Sequence, residues 1–313
     1  MGKDSELFTA IPIAPPEFKS GFVAIVGRPN VGKSTLMNQL VGQKVAITSP
    51  VAQTTRNRLR GILTTLEAQL IMVDTPGIHK PHHELGRVIV QNARNTINAV
   101  DLVLLVVDAS AKAGGGDRFI INLLQNCKTP VIVGLNKCDR QPEKPQTIDA
   151  SYAELVGDRP WQQIKFSALN GEGLAHLQTQ IINSLEPGPY YYPPDLVTDQ
   201  PERFIMGELI REQVLLLTRQ EVPHSAAVTI DRVQEKPNIT HVHAAINVER
   251  SSQKGILIGK QGSMLKAIGI AAREQIQKLV AGKVHLELFV RVQPKWRQSR
   301  LRLAELGYRV EEG

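Results

Sequence analysis

Residues 27–34 read GRPNVGKS and stand between an apolar run, FVAIV (22–26), and a helical pattern, STLMNQLVG (34–42). A strand, a glycine-bearing loop and a helix in this order are typical of a phosphate loop, in which backbone N–H groups at the helix N-terminus surround phosphate oxygens. Gly27 and Gly32 allow the backbone to approach the phosphates closely. The stretch therefore predicts an α/β domain that binds a nucleotide.

Two side chains of this loop carry predicted chemistry. Lys33 is expected to neutralise the β- and γ-phosphates, and the Ser34 hydroxyl is expected to bind Mg²⁺. A chance Gly-Lys-Ser turn is the alternative, but the flanking strand and helix both disfavour it. The other loop residues are predicted to contact the nucleotide: Arg28, Pro29, Asn30, Val31 and Thr35.

A second motif, DTPG (74–77), follows the apolar run AQLIMVD (68–74). Because Asp74 ends a buried strand beside the phosphate loop, it is predicted to share the magnesium ion with Ser34. The N–H of Gly77 is predicted to reach the γ-phosphate, since no Cβ obstructs it. Thr75, Pro76 and Ile78 are predicted to border the nucleotide as well.

Base selectivity is predicted from NKCD (136–139), which ends the strand-like run PVIVGLN (130–136). Guanine offers the N1–H and N2 amino donors, and the acceptor-only carboxylate of Asp139 matches both, which adenine cannot do. The N–H of Ala168 is expected to donate to guanine O6. The remaining members of the predicted base site are Asn136, Lys137, Cys138, Ser167 and Leu169.

The polar stretch ITSPVAQTTRNR (47–58) is predicted to be a switch that senses the γ-phosphate. Thr55 is the predicted magnesium ligand, with Thr54 as the alternate and an ordinary surface loop as the alternative interpretation. Ile78 occupies the position where many signalling GTPases carry a glutamine that orients water, and an aliphatic side chain cannot do so. The predicted catalytic residues are Lys33, Thr55, Gly77 and Asn30, the last as a holder of a potassium ion.

The 313 residues divide into two predicted domains. Strand-like runs alternate with helical patterns over residues 21–185, which predicts a doubly wound, mostly parallel sheet. Residues 1–20 are expected to be a flexible leader, and the proline-rich stretch 186–201 a linker. Residues 202–313 are predicted to form a second, α+β domain with a C-terminal tail.

Basic charge is concentrated in the second domain. Residues 201–313 hold 18 Lys and Arg against 12 Asp and Glu, a net of +6, out of +7 for the whole chain. A basic stretch of this kind is typical of a nucleic-acid surface, although a solvated basic face has the same composition.

The stretch GILIGKQG (255–262) places a GxxG turn after an apolar run and before an amphipathic helix, as in a KH domain. Two strands before the helix indicate the type II variant. Ile256, Leu257 and Ile258 are predicted to line a groove for unpaired bases. The predicted RNA contacts are Lys254, Gly259, Lys260, Gln261, Gly262 and Lys266. In the tail, Lys295, Trp296 and Arg297 are added as an aromatic between two cations, where Trp296 either stacks on a base or packs the final helix.

Taken together, GRPNVGKSTLMNQL, DTPGIHKP, NKCD, SAL and GILIGKQGSMLKAIG resemble the Era-like GTPase family over about residues 20–310. The motifs themselves predict GTP and GDP with Mg²⁺ as ligands, and K⁺ is the further cation hypothesised at Asn30. The resemblance implies that the KH domain binds the 3′ end of 16S ribosomal RNA during assembly of the small (30S) ribosomal subunit. The alternative function is an RNA-binding module whose nucleotide site is slow or structural.

Composition narrows the cellular setting. No apolar stretch is long enough to cross a bilayer, and the N-terminus lacks the pattern of a secretory signal. The two cysteines, Cys127 and Cys138, lack metal-ligand spacing and fit a reducing compartment. We therefore expect a cytoplasmic monomer without stable membrane insertion, and a peripheral contact with the inner membrane face is left open.

Overall fold

The computed structural model describes residues 11–49, 59–79, 84–142, 145–219 and 222–306. Within these residues the N-terminal part forms a six-stranded sheet in the order β2-β3-β1-β4-β5-β6. Only the β2–β3 pair is antiparallel among the described pairs of this sheet. The predicted doubly wound, mostly parallel sheet is confirmed. The strands are β1 (Lys19–Val26), β2 (Leu59–Thr64), β3 (Ala68–Asp74), β4 (Leu102–Asp108), β5 (Val131–Asn136) and β6 (Gln162–Lys165).

Helices cover both faces of this sheet, because the central strands are apolar on both sides. In β1, Val23 and Ile25 face one core while Ala24 and Val26 face the other, and all four are fully buried. This is the alternation that a parallel strand buried on both faces requires. The helices are α1 (Lys33–Val41), α2 (Glu84–Asn98), α3 (Gly115–Leu124), α4 (Gln146–Val156) and α5 (Leu174–Asn183).

The first strand begins within the stretch that was predicted to be a leader. β1 starts at Lys19, and the preceding Phe18 is 1% exposed, with its ring 4.2 Å from that of Tyr190. Burial of an aromatic ring fixes this part of the chain against the domain. Residues 1–10 of the predicted leader lie outside the described residues.

The proline-rich segment 186–201 contains no helix and no strand of the sheets, and it lies along the edge of the first domain. The amide of Ile62 in β2 donates to the carbonyl oxygen of Val197 at 2.8 Å. The buried side chain of Gln69 accepts hydrogen bonds from the amides of Tyr191 and Tyr192 at 2.8 and 3.0 Å. The segment predicted to be a linker is therefore bound to the sheet by backbone contacts.

The C-terminal part forms a three-stranded sheet in the order β7-β8-β9, antiparallel between β7 and β8 and parallel between β8 and β9. Helices pack on one face of it, and the predicted KH fold is confirmed. Its helices are α6 (Glu202–Leu217), α7 (Val222–Ser225), α8 (Ser251–Ile258), α9 (Ser263–Ile276) and α10 (Arg300–Glu305), and its strands are β7 (Ala227–Lys236), β8 (Ile239–Val248) and β9 (Lys283–Val292).

The apolar run before the GxxG turn is the helix α8, which the sequence analysis did not anticipate. The side chain of Gln253 accepts hydrogen bonds from the amides of Glu249 and Arg250, both at 3.0 Å. These bonds satisfy amides at the helix start that have no partner within the helix. A capping side chain two residues before the apolar run thus favours a helix there.

The N-terminal domain contributes a buried apolar residue to the C-terminal domain at two places. Ile47, from the segment after α1, is 4% exposed and is buried among residues of the C-terminal domain. Ile89 of α2 is 2% exposed and clusters with Trp296, Leu303 and Leu306. The two domains therefore share apolar contacts at two places.

Within the part of the chain that the structure describes, no helix has both the length and the apolar composition needed to cross a membrane.

Candidate nucleotide and RNA sites

The phosphate loop lies between β1 and α1, and its shape depends on glycine. Gly32 has φ +100°, and a Cβ added there would lie 2.2 Å from Nδ2 of Asn136. Asn30 also takes a left-handed conformation, with φ +64°. The amide of Ile78 donates to the carbonyl oxygen of Gly27 at 3.0 Å, which joins the loop to the segment after β3. The loop is therefore held by Asn136 on one side and by the segment after β3 on the other.

Lys33 lies inside this loop and is 6% exposed. Its ammonium donates to the carbonyl oxygens of Gly27 and Arg28 at 3.3 and 3.0 Å. Burial lowers the pKa of Lys33 to about 8, and the nearby Asp74 carboxylate opposes that shift. A buried ammonium of this kind favours an anion at the same place, which fits the predicted role on the phosphates.

Ser34 and Asp74 meet as the sequence predicts. The Ser34 hydroxyl donates to Oδ2 of Asp74 at 2.7 Å, and the Asp74 side chain is fully buried at the end of β3. A hydroxyl and a carboxylate are oxygen ligands of the kind that Mg²⁺ prefers, so this pair fits the ion. The third predicted ligand, Thr55, and its alternate, Thr54, lie outside the described residues.

The DTPG turn packs directly on the phosphate loop. A Cβ on Gly77 would lie 2.7 Å from the backbone of Pro29, so glycine is required there. Thr75 donates through its hydroxyl to the carbonyl oxygen of Ile25 at 2.9 Å. Ile78 is fully buried in the core beneath α2, which explains why an aliphatic residue occupies this position. Of Ile78, only the backbone borders the loop.

Asn136 connects the phosphate loop to the predicted base site. Its Nδ2 donates to the carbonyl oxygen of Val31 at 2.7 Å, and its Oδ1 accepts from the amides of Lys137 and Ala168 at 2.8 and 2.9 Å. The amide of Ala168 thus has a partner within the protein. Its predicted bond to guanine O6 stays a prediction, and it requires that this amide be shared with Asn136.

Lys137 is held across the site with φ +68°. Its ammonium donates to the carbonyl oxygen of Asn30 at 2.8 Å and to the carboxylate of Asp108 at 2.5 Å. Burial alone would raise the pKa of Asp108, but the hydrogen bonds from Lys137 and Ser110 outweigh it and lower that pKa. The sequence analysis missed Asp108, although its place at the end of β4 carried the same signal as Asp74.

A cavity of about 350 Å³ lies beside these residues and includes most of the predicted base site. The Asp139 side chain is 19% exposed at its edge. Leu169 is 68% exposed and forms the opposite wall. The residues that line the cavity are Asn30, Gly32, Thr35, Ser49, Asn136, Lys137, Asp139, Arg140, Ala168 and Leu169.

A smaller cavity next to Lys33 and Ser34 includes three residues that the sequence analysis did not assign. These are Ile47, Thr48 and Ser49, which begin the stretch predicted to be a switch. Their signal was present in the polar composition of that stretch, but only Thr55 and its alternate Thr54 were singled out. The described start of the predicted switch thus lies against the phosphate and magnesium residues.

The side chain of Arg28 is held by α3. Its Nε donates to Oδ1 of Asp117 at 2.7 Å, and Asp117 is 1% exposed. The other oxygen of Asp117 accepts from the amide of Gly114 at 2.9 Å. Arg28 therefore braces the phosphate loop through its side chain, and its backbone oxygen faces Lys33.

The GxxG turn in the C-terminal domain connects α8 to α9. Gly259 has φ +72°, and a Cβ there would lie 2.7 Å from Cβ of Met264. Gln261 has φ +52°. Lys260, Gln261 and Lys266 are exposed, while Lys254 is half-buried on α8. The turn thus presents backbone and cations to solvent, as the RNA prediction requires.

A groove of about 360 Å³ begins at this turn and runs between α9 and β9. The prediction that Ile256, Leu257 and Ile258 form its wall is wrong, because none of the three lines this groove and Leu257 is fully buried in the core of the domain. Formation of α8 turns Leu257 inward. The groove is lined by Gly262, Leu265, Lys266, Gly269, Ile270, Arg273, Leu286 and Leu288.

The tail residues serve the fold. Trp296 is fully buried, and its indole N–H donates to the carbonyl oxygen of Ser225 at 3.0 Å, so this side chain packs the tail and is not placed to stack on a base. Arg297 forms an ion pair with Glu249. Of the three residues predicted here as RNA contacts, Lys295 alone is an exposed cation.

The chain that carries these two sites matches known proteins over up to 97% of its length. Residues 22–137 match a family described as 50S ribosome-binding GTPase, and residues 221–297 match the KH domain family. The GTPase Era of Crocosphaera subtropica is 72% identical over 304 residues, which cover 97% of this chain and 97% of that protein. The chain belongs to the Era family of GTPases. GTPase Era of a Nostoc species is also 72% identical, over 97% of this chain and 94% of its own length.

Solved structures agree with membership of the Era family. Era in complex with MgGDPNP and nucleotides 1506–1542 of 16S ribosomal RNA superposes with a TM-score of 0.88 at 38% identity, over 93% of this chain and 99% of that chain. A variant of Aquifex aeolicus Era bound to GDP·AlF4⁻ gives a TM-score of 0.87 at 38% identity, over 93% and 100% of the two chains. The predicted Era-like resemblance is thereby confirmed.

Proposed function

We propose that this chain is a GTP-hydrolysing switch that binds the single-stranded 3′ end of 16S ribosomal RNA and assists assembly and maturation of the small ribosomal subunit. The observation that carries the proposal is one chain with both a guanine-nucleotide site and a KH groove. An Era protein 38% identical to this chain has been solved with MgGDPNP and an RNA fragment from that region bound together.

In the proposed reaction, the nucleotide loops hold GTP and stabilise charge on its phosphates. Lys33 and the loop amides face the β- and γ-phosphates, and Gly77 offers its N–H to the γ-phosphate. Ser34 and Asp74, with Thr55, would hold Mg²⁺, which supplies charge neutralisation when it is bound. Asp139 would select guanine.

Hydrolysis by this site is expected to be slow without a partner, because Ile78 is buried and offers no group to orient water. We infer that Asn30 compensates by holding K⁺ against the phosphates. Its exposed side chain stands at the edge of both nucleotide cavities, on a backbone fixed by Lys137. Single-turnover hydrolysis in K⁺ and in Na⁺ buffers tests this, and equal rates would contradict it.

For RNA, the exposed cations and the GxxG backbone would hold phosphates while bases enter the apolar groove. The residues proposed for this role are Lys254, Gly259, Lys260, Gln261, Gly262, Lys266 and Lys295. We further propose that the protein acts as a cytoplasmic monomer, with the small ribosomal subunit as its partner. A peripheral contact with the inner membrane face stays a prediction.

The second candidate, an RNA-binding module with a slow or structural nucleotide site, is favoured by the burial of Ile78. One experiment separates the two: single-turnover GTP hydrolysis with and without RNA of nucleotides 1506–1542. Stimulation by RNA supports the switch. Hydrolysis that stays undetectable under both conditions supports the module, and hydrolysis that RNA leaves unchanged contradicts coupling between the sites.

A further inference from the structure

The centre of α6 in the KH domain carries a buried carboxylate whose partners are largely in the other domain. Glu212 is 2% exposed. One oxygen accepts from Lys44 Nζ at 2.6 Å, and the other accepts from the amide of Thr48 at 2.9 Å and from its hydroxyl at 3.5 Å. A longer contact of 3.4 Å comes from the neighbouring Gln213. We call Lys44, Thr48 and Glu212 the interdomain contact.

This contact holds residues that also line the nucleotide site. Thr48 lines the small cavity beside Lys33 and Ser34, next to Ile47 and Ser49. Ile47 is buried in the core of the KH domain. One short segment of the GTPase domain is therefore bound by the KH domain on one side and faces the phosphate site on the other.

The strand that follows the predicted switch, β2, is also attached to the C-terminal side of the chain. Arg60 in β2 forms a 2.5 Å ion pair with Asp199, and its carbonyl oxygen accepts from the Thr198 hydroxyl at 2.6 Å. Both residues belong to the segment that leads into α6. Described residues on each side of the predicted switch are thus fixed to α6 or to the chain entering it.

Because Glu212 is buried, the stability of this contact depends on how the two domains are placed. A carboxylate removed from water is costly unless charge and hydrogen-bond donors compensate it, and here nearly all the donors come from the GTPase domain. Rotation of α6 away from Lys44 and Thr48 leaves that carboxylate either uncompensated or hydrated. Such a contact has two discrete arrangements, made and broken, which is the requirement for coupling two sites.

We propose that Glu212 is a positioning residue that transmits between RNA occupancy and nucleotide affinity by holding Thr48 at the phosphate site. The inference rests on the proposed function, since it assigns the route of coupling in the same switch. Because binding linkage is reciprocal, RNA changes GTP affinity through this contact by the same factor as GTP changes RNA affinity.

The test uses Glu212→Gln in the full chain, because glutamine keeps the volume but cannot accept from both Lys44 and Thr48. Lys44→Gln removes the same ion pair by changing its partly exposed partner. This variant replaces Glu212→Gln in the test if Glu212→Gln fails to fold. Asp149→Asn is the matched control, since it breaks a lysine–carboxylate contact, to Lys165, within the GTPase domain. The affinity of a fluorescent GTP analogue is measured with Mg²⁺, with and without RNA of nucleotides 1506–1542.

In the unaltered protein and in Asp149→Asn, RNA is expected to change GTP affinity by a factor of about 5–150, and in Glu212→Gln by less than about twofold. Glu212→Gln should still bind each ligand separately, which a loss of folding would prevent. Lys44→Gln is expected to weaken the coupling in the same direction.

Two outcomes overturn the inference in distinguishable ways. Coupling that persists in full in Glu212→Gln, or in Lys44→Gln where the first variant does not fold, removes the transmitting role and leaves the proposed switch intact. If RNA has no effect on GTP affinity or on hydrolysis in the unaltered protein, the proposed coupled function is contradicted. The route through Glu212 is then contradicted as well.

Discussion

The nucleotide site and the RNA groove differ in how much of each is fixed before a ligand arrives. In the nucleotide site, Lys33, Asn136 and Lys137 all make hydrogen bonds to backbone oxygens of the phosphate loop. In the groove, the cations Lys260 and Lys266 are exposed and the walls are apolar side chains. The first site is therefore preorganised for one ligand, while the second accepts any segment that matches its charge and shape.

The largest expected effect tests the fixed site. Asp139→Asn replaces two acceptor bonds to guanine, each worth about 1.5–3 kcal/mol when the acceptor is charged, so GTP affinity should fall by about 10²–10⁴-fold. Xanthine carries an oxygen where guanine carries the amino group. The amide introduced by Asp139→Asn can donate to that oxygen, so this variant should bind XTP more tightly than the unaltered protein does.

Titration with fluorescent GDP, GTP and XTP measures this effect. Asp149→Asn, which alters an aspartate on α4 that pairs with Lys165, is the control and should bind GTP normally. A loss smaller than about tenfold in Asp139→Asn would place the base elsewhere.

Trp296 is buried with Ile89 of the GTPase domain, and its substitution tests whether the tail belongs to the fold or to the RNA surface. Trp296→Ala should lower the free energy of unfolding by about 3–5 kcal/mol, because the side chain is fully buried. Trp296→Phe keeps most of the ring packing and loses the bond to Ser225, which costs about 1 kcal/mol.

Urea unfolding gives these energies, and RNA binding is measured below the unfolding transition. The Phe variant should bind RNA as the unaltered chain does. If a Trp296 variant has normal stability but strongly reduced RNA affinity, the side chain contacts RNA and the packing role is contradicted.

The open site is tested at the GxxG turn. Gly259→Asp forces a side chain into a left-handed turn where Cβ would lie 2.7 Å from Met264. Strain of about 1–3 kcal/mol in that turn should reduce RNA affinity by about 5–150-fold and leave GTP affinity unchanged. Gly255→Asp is the matched control, since it adds the same charge where no atom lies within 4 Å of the added Cβ. Equal losses in both variants would assign the effect to charge alone.

The smallest effect concerns single cations of the groove. Lys260→Ala and Lys266→Ala should each reduce the log-log salt slope of RNA binding by about 0.7, the value for one phosphate contact on a single strand. Lys128→Ala alters an exposed lysine of the GTPase domain and should leave the slope unchanged. Fluorescence anisotropy from low to high salt measures all three slopes, and no change in the groove variants would separate these lysines from RNA.

The sequence was sufficient for the nucleotide loops because their chemistry is local. Each motif follows a strand in the chain, and parallel strands bring their carboxyl ends to one edge of the sheet, so the spatial meeting of Ser34 with Asp74 follows from topology. The same rule, applied to β4, would have found Asp108. The KH fold was predictable for a similar reason, since the GxxG turn and the order of its elements are contiguous in the chain.

What the sequence could not supply are contacts between distant residues that no motif marks. Trp296 stands between two cations, a pattern shared by RNA-binding and packing residues, and burial against Ser225 and Ile89 decides between them. Glu212 is one of several acidic residues on α6, and only the approach of Lys44 and Thr48 distinguishes it. Arg28 sits within a nucleotide motif, yet a buried Asp117 from α3 determines where its side chain lies.

The segment 186–201 has a consequence for how the protein is made. Strand β2 is the outermost strand of its sheet, and Val197 takes up the hydrogen-bond donor of Ile62 that would otherwise face solvent. An unpaired edge strand is a template for association with other chains. During translation the GTPase domain emerges first, and its edge stays unprotected until the ribosome has released the chain beyond residue 199. A nascent chain whose GTPase domain has left the ribosome would therefore be more prone to aggregate than one from which residues 186–201 have also emerged.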